Sequence, residues 1–196
     1  MALRSAKQLL RNEIKQKIKA LSDVEKKRQS DIVIKKVIAT DHWQESSRVS
    51  IFLSMSDEIQ TENLLKEGFL TKKDIFIPRY IGDSMEMVRL KSWQDYESLP
   101  TTSWNIKQPA DDDEREDALT TGGLDFILMP GLAFSRQGDR MGRGRGYYDK
   151  YLQRVAHSQG GRKPRTVAAV YKEQIYHSVP VDDHDVPVDL VLFEGC

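Results

Sequence analysis

Short runs rich in β-branched and aromatic residues punctuate this chain from residue 48 onward, and helical patterns fill most of the gaps between them. RVSIFL at 48–53, DIFIP at 74–78, MEMVRL at 85–90, LDFILM at 124–129, TVAAVY at 166–171 and VDLVLF at 188–193 each have the length and composition of a strand. Apolar runs without polar alternation belong to strands buried on both faces. Their alternation with helices predicts a mostly parallel sheet covered by helices on both sides. Gly82 and Asp83 are turn formers, so the run at 85–90 is expected as an antiparallel or edge piece.

Two amphipathic helices are expected ahead of the sheet. Ser5 and Gln8 have the spacing of a capping box, and Leu10, Ile14, Ile18 and Leu21 then form a helical stripe. Ser22 and Glu25 repeat the box, and Val24, Ile32, Val33, Val37 and Ile38 carry a second helix to about Thr40. Thr61 is the expected cap of a helix after the first strand. Tyr147, Tyr151, Leu152 and Val155 predict a further helix, ending near Gly160–Gly161. At 196 residues the chain suits one domain, 1–196, with a sizeable core.

The chemistry concentrates in GLAFSRQGDRMGRGRGYYD, residues 131–149. Glycines let backbone N–H groups approach an anion, arginines present planar forks of donors, and a helix opening at Tyr147 adds its positive end. A polyphosphate suits that combination, and the apolar strand before it supports a nucleotide-phosphate loop. Two other readings stay open on composition: an arginine-rich surface loop, and an RNA-contacting arm aided by the tyrosines. Neither a P-loop nor GxGxxG is present.

Other candidates are local. Lys7 and Arg11 stand one helical turn apart, as a solvated basic face or a ligand contact. Glu58 follows the first strand, where open α/β sheets place ligands, although an acid in a loop also serves solvation. Trp104 covers a core edge or stacks on a planar ligand. The acidic run 111–117 reads as a solvated loop. Asp182, Asp183, Asp185 and Asp189 either hold Mg²⁺ or form a polar turn. His184 has no partner at zinc spacing.

Thirty basic and thirty acidic side chains cancel, so no global field draws the chain to nucleic acid or membrane. No apolar run approaches the ~20 residues that cross a bilayer. The first residues fit neither a secretory signal nor an acid-poor transit peptide. Cys196 is the only cysteine, which favours a reducing compartment, and the expected location is cytoplasmic.

LSMSDEI at 53–59, PRY at 78–80, TSWNIKQP at 102–109, MPGLAFSRQGDRMGRGRGYYDKYL at 129–152, YKEQI at 171–175 and HDVPVD at 184–189 together resemble the 5-formyltetrahydrofolate cyclo-ligases, also called methenyltetrahydrofolate synthetases. The resemblance spans nearly the whole chain, and the glycine–arginine–tyrosine block is its specific part. It implies a three-layer α/β/α fold. It also implies an ATP- and Mg²⁺-dependent closure of 5-formyltetrahydrofolate, with or without a polyglutamate tail, to 5,10-methenyltetrahydrofolate by a monomer. ADP and phosphate are released, and the formyl oxygen is phosphorylated on the way.

By the same resemblance the nucleotide is met by Lys7, Gln8, Leu9, Leu10 and Arg11, and by Arg140, Met141, Gly142, Arg143, Gly144, Arg145, Gly146, Tyr147 and Tyr148. Arg143, Arg145 and Tyr147 are the implied catalytic positions, the two arginines neutralising charge during transfer. Folate falls to Leu53, Glu58, Trp104 and the 143–147 segment; Asp149 and Asp185 match the magnesium positions. Members of the family often carry lysine where this chain has Arg145, a cation of different geometry. Two rivals to this enzyme remain: an RNA-binding module, which the zero net charge disfavours, and a silent relative kept for interaction, which the retained Lys7, Glu58, Arg143, Asp149 and Asp185 disfavour.

Overall fold

The computed structural model describes residues 2–103, 105–158 and 162–196. Helices α1 (Ala2–Lys19) and α2 (Asp23–Ile38) lead, followed by the short α3 (Asp41–Gln44). Ser22 Oγ accepts the Glu25 amide at 3.2 Å, so α2 starts at its expected cap. The cap expected at Ser5 does not form, because α1 already begins at Ala2. Leu3 and Arg4 are good helix formers and give the chain no reason to wait for Ser5. Ile14 and Ile18 are fully buried, with Leu10 and Leu21 packed against the same core.

Next come β1 (Arg48–Ser50), α4 (Glu62–Leu70), β2 (Asp74–Ile81), β3 (Ser84–Leu90), α5 (Trp93–Ser98) and β4 (Phe126–Leu128). The remainder holds β5 (Ala133–Ser135), β6 (Arg140–Met141), α6 (Tyr147–Ser158), β7 (Arg165–Ala169), β8 (Ile175–Tyr176) and β9 (Leu190–Leu192). The main sheet runs β3-β2-β1-β4-β7-β9. Only the β2–β3 hairpin is antiparallel, turning at Gly82 with φ +57°. The expected mostly parallel α/β sheet is therefore the one observed.

Side chains alternate between two cores. Val49, Ile75, Ile77, Phe126, Leu128 and Val167 face the layer of α1, α2 and α4. Phe76, Met87, Ile127, Met129 and Ala168 face α6, which contributes Tyr148, Tyr151 and Val155. Full burial of each large side chain contributes roughly 1.5–3 kcal/mol, against about 1 kcal/mol for a ladder hydrogen bond. The two buried faces thus hold the sheet more than its ladders do. Among the described residues no helix is long and apolar enough to cross a membrane.

Several expectations need correction. The run 48–53 pairs only through Ser50; beyond Ile51 the chain leaves the ladder to form the loop that carries Asp57 and Glu58. Thr61 makes no side-chain cap, since its backbone is helical rather than extended. Its hydroxyl instead donates to Phe52 O at 2.7 Å and ties the helix start to the strand end. The acidic run is not simply solvated. Arg115, whose side chain is 5% exposed, pairs with Asp95 and Asp113. Arg89 and Ala118 amides bond Glu116 O and Met87 O, so residues 116–118 cover the β3 edge. The small sheet β6-β5-β8 and helices α3 and α5 were not expected. Trp104 and the expected helix end at Gly160–Gly161 lie outside the described residues.

Gly138 locks the small sheet to the loop before β9. Its φ is +101°, a Cβ there would meet Val188 O at 2.2 Å, and its own carbonyl accepts the Val188 amide at 2.9 Å. Gly82 also has positive φ, but its Cβ position is open. Urea unfolding is expected to show Gly138→Ala losing more than about 2 kcal/mol and Gly82→Ala within about 1 kcal/mol of wild type. Equal losses would contradict the lock.

Candidate active site

The carboxyl ends of the parallel strands open on one side of the sheet, where loops collect the polar side chains. The loop after β1 brings Asp57 and Glu58, the β4–β5 turn brings Pro130 and Gly131, and residues 142–146 run from β6 into α6. The start of α1 and the 177–189 segment close the far side.

Two cavities meet there. The first, of about 350 Å³, is lined by apolar and aromatic groups including Leu53, Pro78, Tyr80, Tyr147 and Tyr148, with Glu58 as its buried acid. The second is an open trough of about 1290 Å³ between α1 and the 142–146 loop, with Lys7, Gln8, Arg11, Lys150, Asp182 and Asp185 along it. Gly142, Arg143, Arg145, Gly146 and Asp149 line both. The glycine–arginine loop is the wall between a pocket lined by aromatic and apolar groups and a cation-rich groove.

Glycine makes that wall thin. Gly144 has φ +112° and a missing Cβ 3.7 Å from the Arg11 guanidinium carbon. Arg11 Nε donates to Gly142 O at 3.1 Å and fixes the loop to α1. Tyr147 donates its hydroxyl to Gly82 O at 2.8 Å, and its ring packs on Tyr80 with centroids 4.9 Å apart. These two contacts hold the loop at both ends.

Lys7, Arg140 and Arg143 are each matched by acids. Lys7 bonds Asp182 at 2.7 Å and also Asp185. Burial works against its charge, yet the two carboxylates together raise its pKa. Arg140, 3% exposed, reaches Asp149 and Pro130 O. Arg143 Nη2 lies 2.8 Å from Asp57 and 3.2 Å from Glu58. Burial pushes the Glu58 carboxyl up, and Arg143 with the Met55 amide offsets only part of that. Arg143 itself is raised, Glu58 and Asp57 outweighing its own burial. Tyr148 is held well above the ordinary phenol value by burial.

Asp149 Oδ1 accepts the Val186 amide at 3.1 Å, which brings its carboxylate beside the Asp185 segment. Among the described residues no group of three or more His, Cys, Asp or Glu side chains is placed to hold a metal. Two carboxylates facing an open trough nonetheless fit a hard divalent cation that draws further oxygens from phosphate and water.

The structure sorts the expected contacts by side. Lys7, Gln8 and Arg11 face the trough; Leu9 is 71% exposed and Leu10 packs on the core, because one helix face cannot carry five consecutive residues. Arg140 is buried under the loop and Met141 lies in the core, so the Met141 side chain faces no groove. Tyr147 and Tyr148 line the smaller cavity with Leu53 and Glu58. Arg145 lines both cavities and is 73% exposed at its side chain, with Asp83 at 4.0 Å. Asp183 takes no part in the ion pairs, and Asp189 binds Thr166 across β7 and β9. Missed by the sequence reading were Tyr80, Gln108, Arg4 and Lys150. Arg4 was reachable, since it precedes Lys7 by one turn. Pairing of Arg140 and Arg143 with carboxylates suits a pocket wall better than an RNA-contacting arm.

Comparison with known proteins follows the same outline. A model of the 5-formyltetrahydrofolate cyclo-ligase family matches residues 3–194. A Mus musculus protein named 5-formyltetrahydrofolate cyclo-ligase is 52% identical over 196 residues, covering 99% of this chain and 96% of that one. A Caenorhabditis elegans protein named probable 5-formyltetrahydrofolate cyclo-ligase is 35% identical, with 99% and 95% covered. The NMR structure of Aquifex aeolicus 5,10-methenyltetrahydrofolate synthetase superposes with a TM-score of 0.76 at 30% identity, covering 95% of this chain and 88% of that one. A Mycoplasma pneumoniae 5,10-methenyltetrahydrofolate synthetase shares the fold at TM-score 0.73 and 20% identity, covering 96% and 98%.

Glu58 gives a sign-defined test. Its folded pKa lies above the ordinary 4.5, so ionised Glu58 destabilises the fold above that raised pKa, and the cost disappears as pH falls to about 4.5. Glu58→Gln is therefore expected to melt at the same or a higher temperature than wild type at pH 7, the gap closing on acidification. A variant several degrees less stable at pH 7 would show that the acid is there for the fold.

Proposed function

Since the chain belongs to the 5-formyltetrahydrofolate cyclo-ligase family, we propose that it closes 5-formyltetrahydrofolate to 5,10-methenyltetrahydrofolate with ATP and Mg²⁺, releasing ADP and phosphate. The observation that carries this reading is the shared loop wall: an aromatic-lined pocket with one buried acid on one side, a cationic trough on the other. Glu58 suits the amino and ring N–H donors of a pterin, and Tyr80 and Tyr147 suit its faces. Lys7, Arg11 and the 142–146 backbone suit the polyphosphate.

The formyl oxygen of the substrate is a poor leaving group. Attack of that oxygen on the γ-phosphate breaks the bond to ADP and gives an iminophosphate with an electrophilic carbon. N10 then bonds that carbon and gives up its proton to solvent, and the oxygen departs with phosphate. For the protein this chemistry is chiefly positioning and charge neutralisation. Arg143 and Arg145 are the cations that would neutralise the growing charge, and Tyr147 sets the edge of the ring pocket. Asp149 and Asp185 would hold Mg²⁺, which neutralises phosphate charge when bound. A cytoplasmic monomer acting on folates with or without a polyglutamate tail completes the reading.

Formation of methenyltetrahydrofolate absorbance that requires both ATP and Mg²⁺ is the direct assay. Arg143→Ala is expected to lose roughly a hundredfold or more in turnover, the scale of a lost transition-state donor, while Lys163→Ala on the exposed surface stays near wild type. Equal activity in the two would remove the loop from the chemistry. Asp185→Asn is expected to shift the Mg²⁺ titration to higher concentration; an unchanged titration would leave that residue a turn former.

A further inference from the structure

Both oxygens of Glu58 are engaged within the protein. Oε2 accepts the Met55 amide at 3.0 Å, and Oε1 faces Arg143 at 3.2 Å from Nη2 and 3.4 Å from Nε. The neighbouring Asp57 takes the same Nη2 at 2.8 Å. Arg143 is therefore held by the loop after β1, although the segment that carries it also walls the trough. Nε and Nη2 of Arg143 are both committed to these carboxylates, so its bidentate fork is not available to a transferring phosphate.

The energetics favour one order of events. Glu58 is 8% exposed, and taking Arg143 away leaves a buried carboxylate without its cation, a costly state. A nucleotide alone must bear that cost. A pterin whose N–H donors claim Oε1 displaces Arg143 and satisfies the carboxylate in the same step. We propose that Asp57 and Glu58 park Arg143 in the ligand-free protein and that folate binding releases it to the phosphates, so that the two pockets fill synergistically.

Asp57 is then a positioning residue, acting through Arg143 without touching either substrate. The loop is built for a side-chain swing rather than a wholesale move. Gly142 and Gly144 flank Arg143 without side chains, while Arg11 anchors the Gly142 carbonyl. The consequence is that phosphate transfer awaits an acceptor.

This inference rests on the functional reading above, and calorimetry separates the two. An ATP analogue with an imido β–γ bridge is titrated at fixed Mg²⁺, with and without saturating 5-formyltetrahydrofolate. Wild type is expected to bind the analogue about fivefold or more tighter with the folate present, and reciprocally. Asp57→Asn is expected to bind the analogue alone about threefold tighter than wild type, with the coupling reduced by the same factor, whereas Asp57→Glu restores it. Melting curves confirm that the variants are folded, and the wild-type coupling needs no variant. Binding of both ligands without coupling, or full coupling in Asp57→Asn, would overturn the inference alone. Failure of wild type to bind either ligand would overturn the functional reading and the inference with it.

Discussion

Arg143 bridges the loop that opens α6 and the loop that leaves β1, and its charge lies within reach of both cavities. Everything else in the site keeps that bridge in register. The parallel sheet aligns the carboxyl ends of β1 and β4, and Thr61 pins the 54–60 segment to Phe52 O. Arg11 and Tyr147 fasten the two ends of the glycine run. A fold held mainly by apolar burial thus presents a polar junction whose parts come from distant stretches of sequence.

Pairing of charges within the site is the second theme. Lys7 sits on Asp182 and Asp185, Arg140 on Asp149, and Arg143 on Asp57 and Glu58. An unpaired cation in a half-buried cleft is costly, and so is an unpaired acid. Pairing lets a chain with no net charge line a groove with cations at little cost. On the proposed function, the same pairing would set each substrate against a protein partner and so link occupancy of one pocket to the other.

How much of this was legible beforehand follows from the range of each signal. Apolar runs such as LDFILM and TVAAVY gave the strands and the layer arrangement because burial on both faces leaves a local mark. Two-residue strands, Arg140–Met141 and Ile175–Tyr176, leave none. The glycine–arginine block pointed to an anion site, and the family resemblance turned Lys7, Arg11 and Glu58 from open candidates into expected ligand contacts. That resemblance also carried along Leu9 and Leu10, which the helix turns away from the trough. Partners across the fold stayed hidden: nothing local says that Asp57 meets Arg143 or that Asp182 meets Lys7, since 86 and 175 positions separate them. Arg115 shows the same limit, a cation in an acidic run that proved to be buried structure.

If residues 142–146 are the common wall, either substrate alone must quiet them. Amide hydrogen exchange, followed by mass spectrometry on peptides from this segment, the first turns of α1 and residues 54–60, reads this without turnover. Nucleotide is expected to slow the segment together with α1, and folate to slow it together with residues 54–60. Protection of the segment by one substrate and indifference to the other would mean that the two do not meet there.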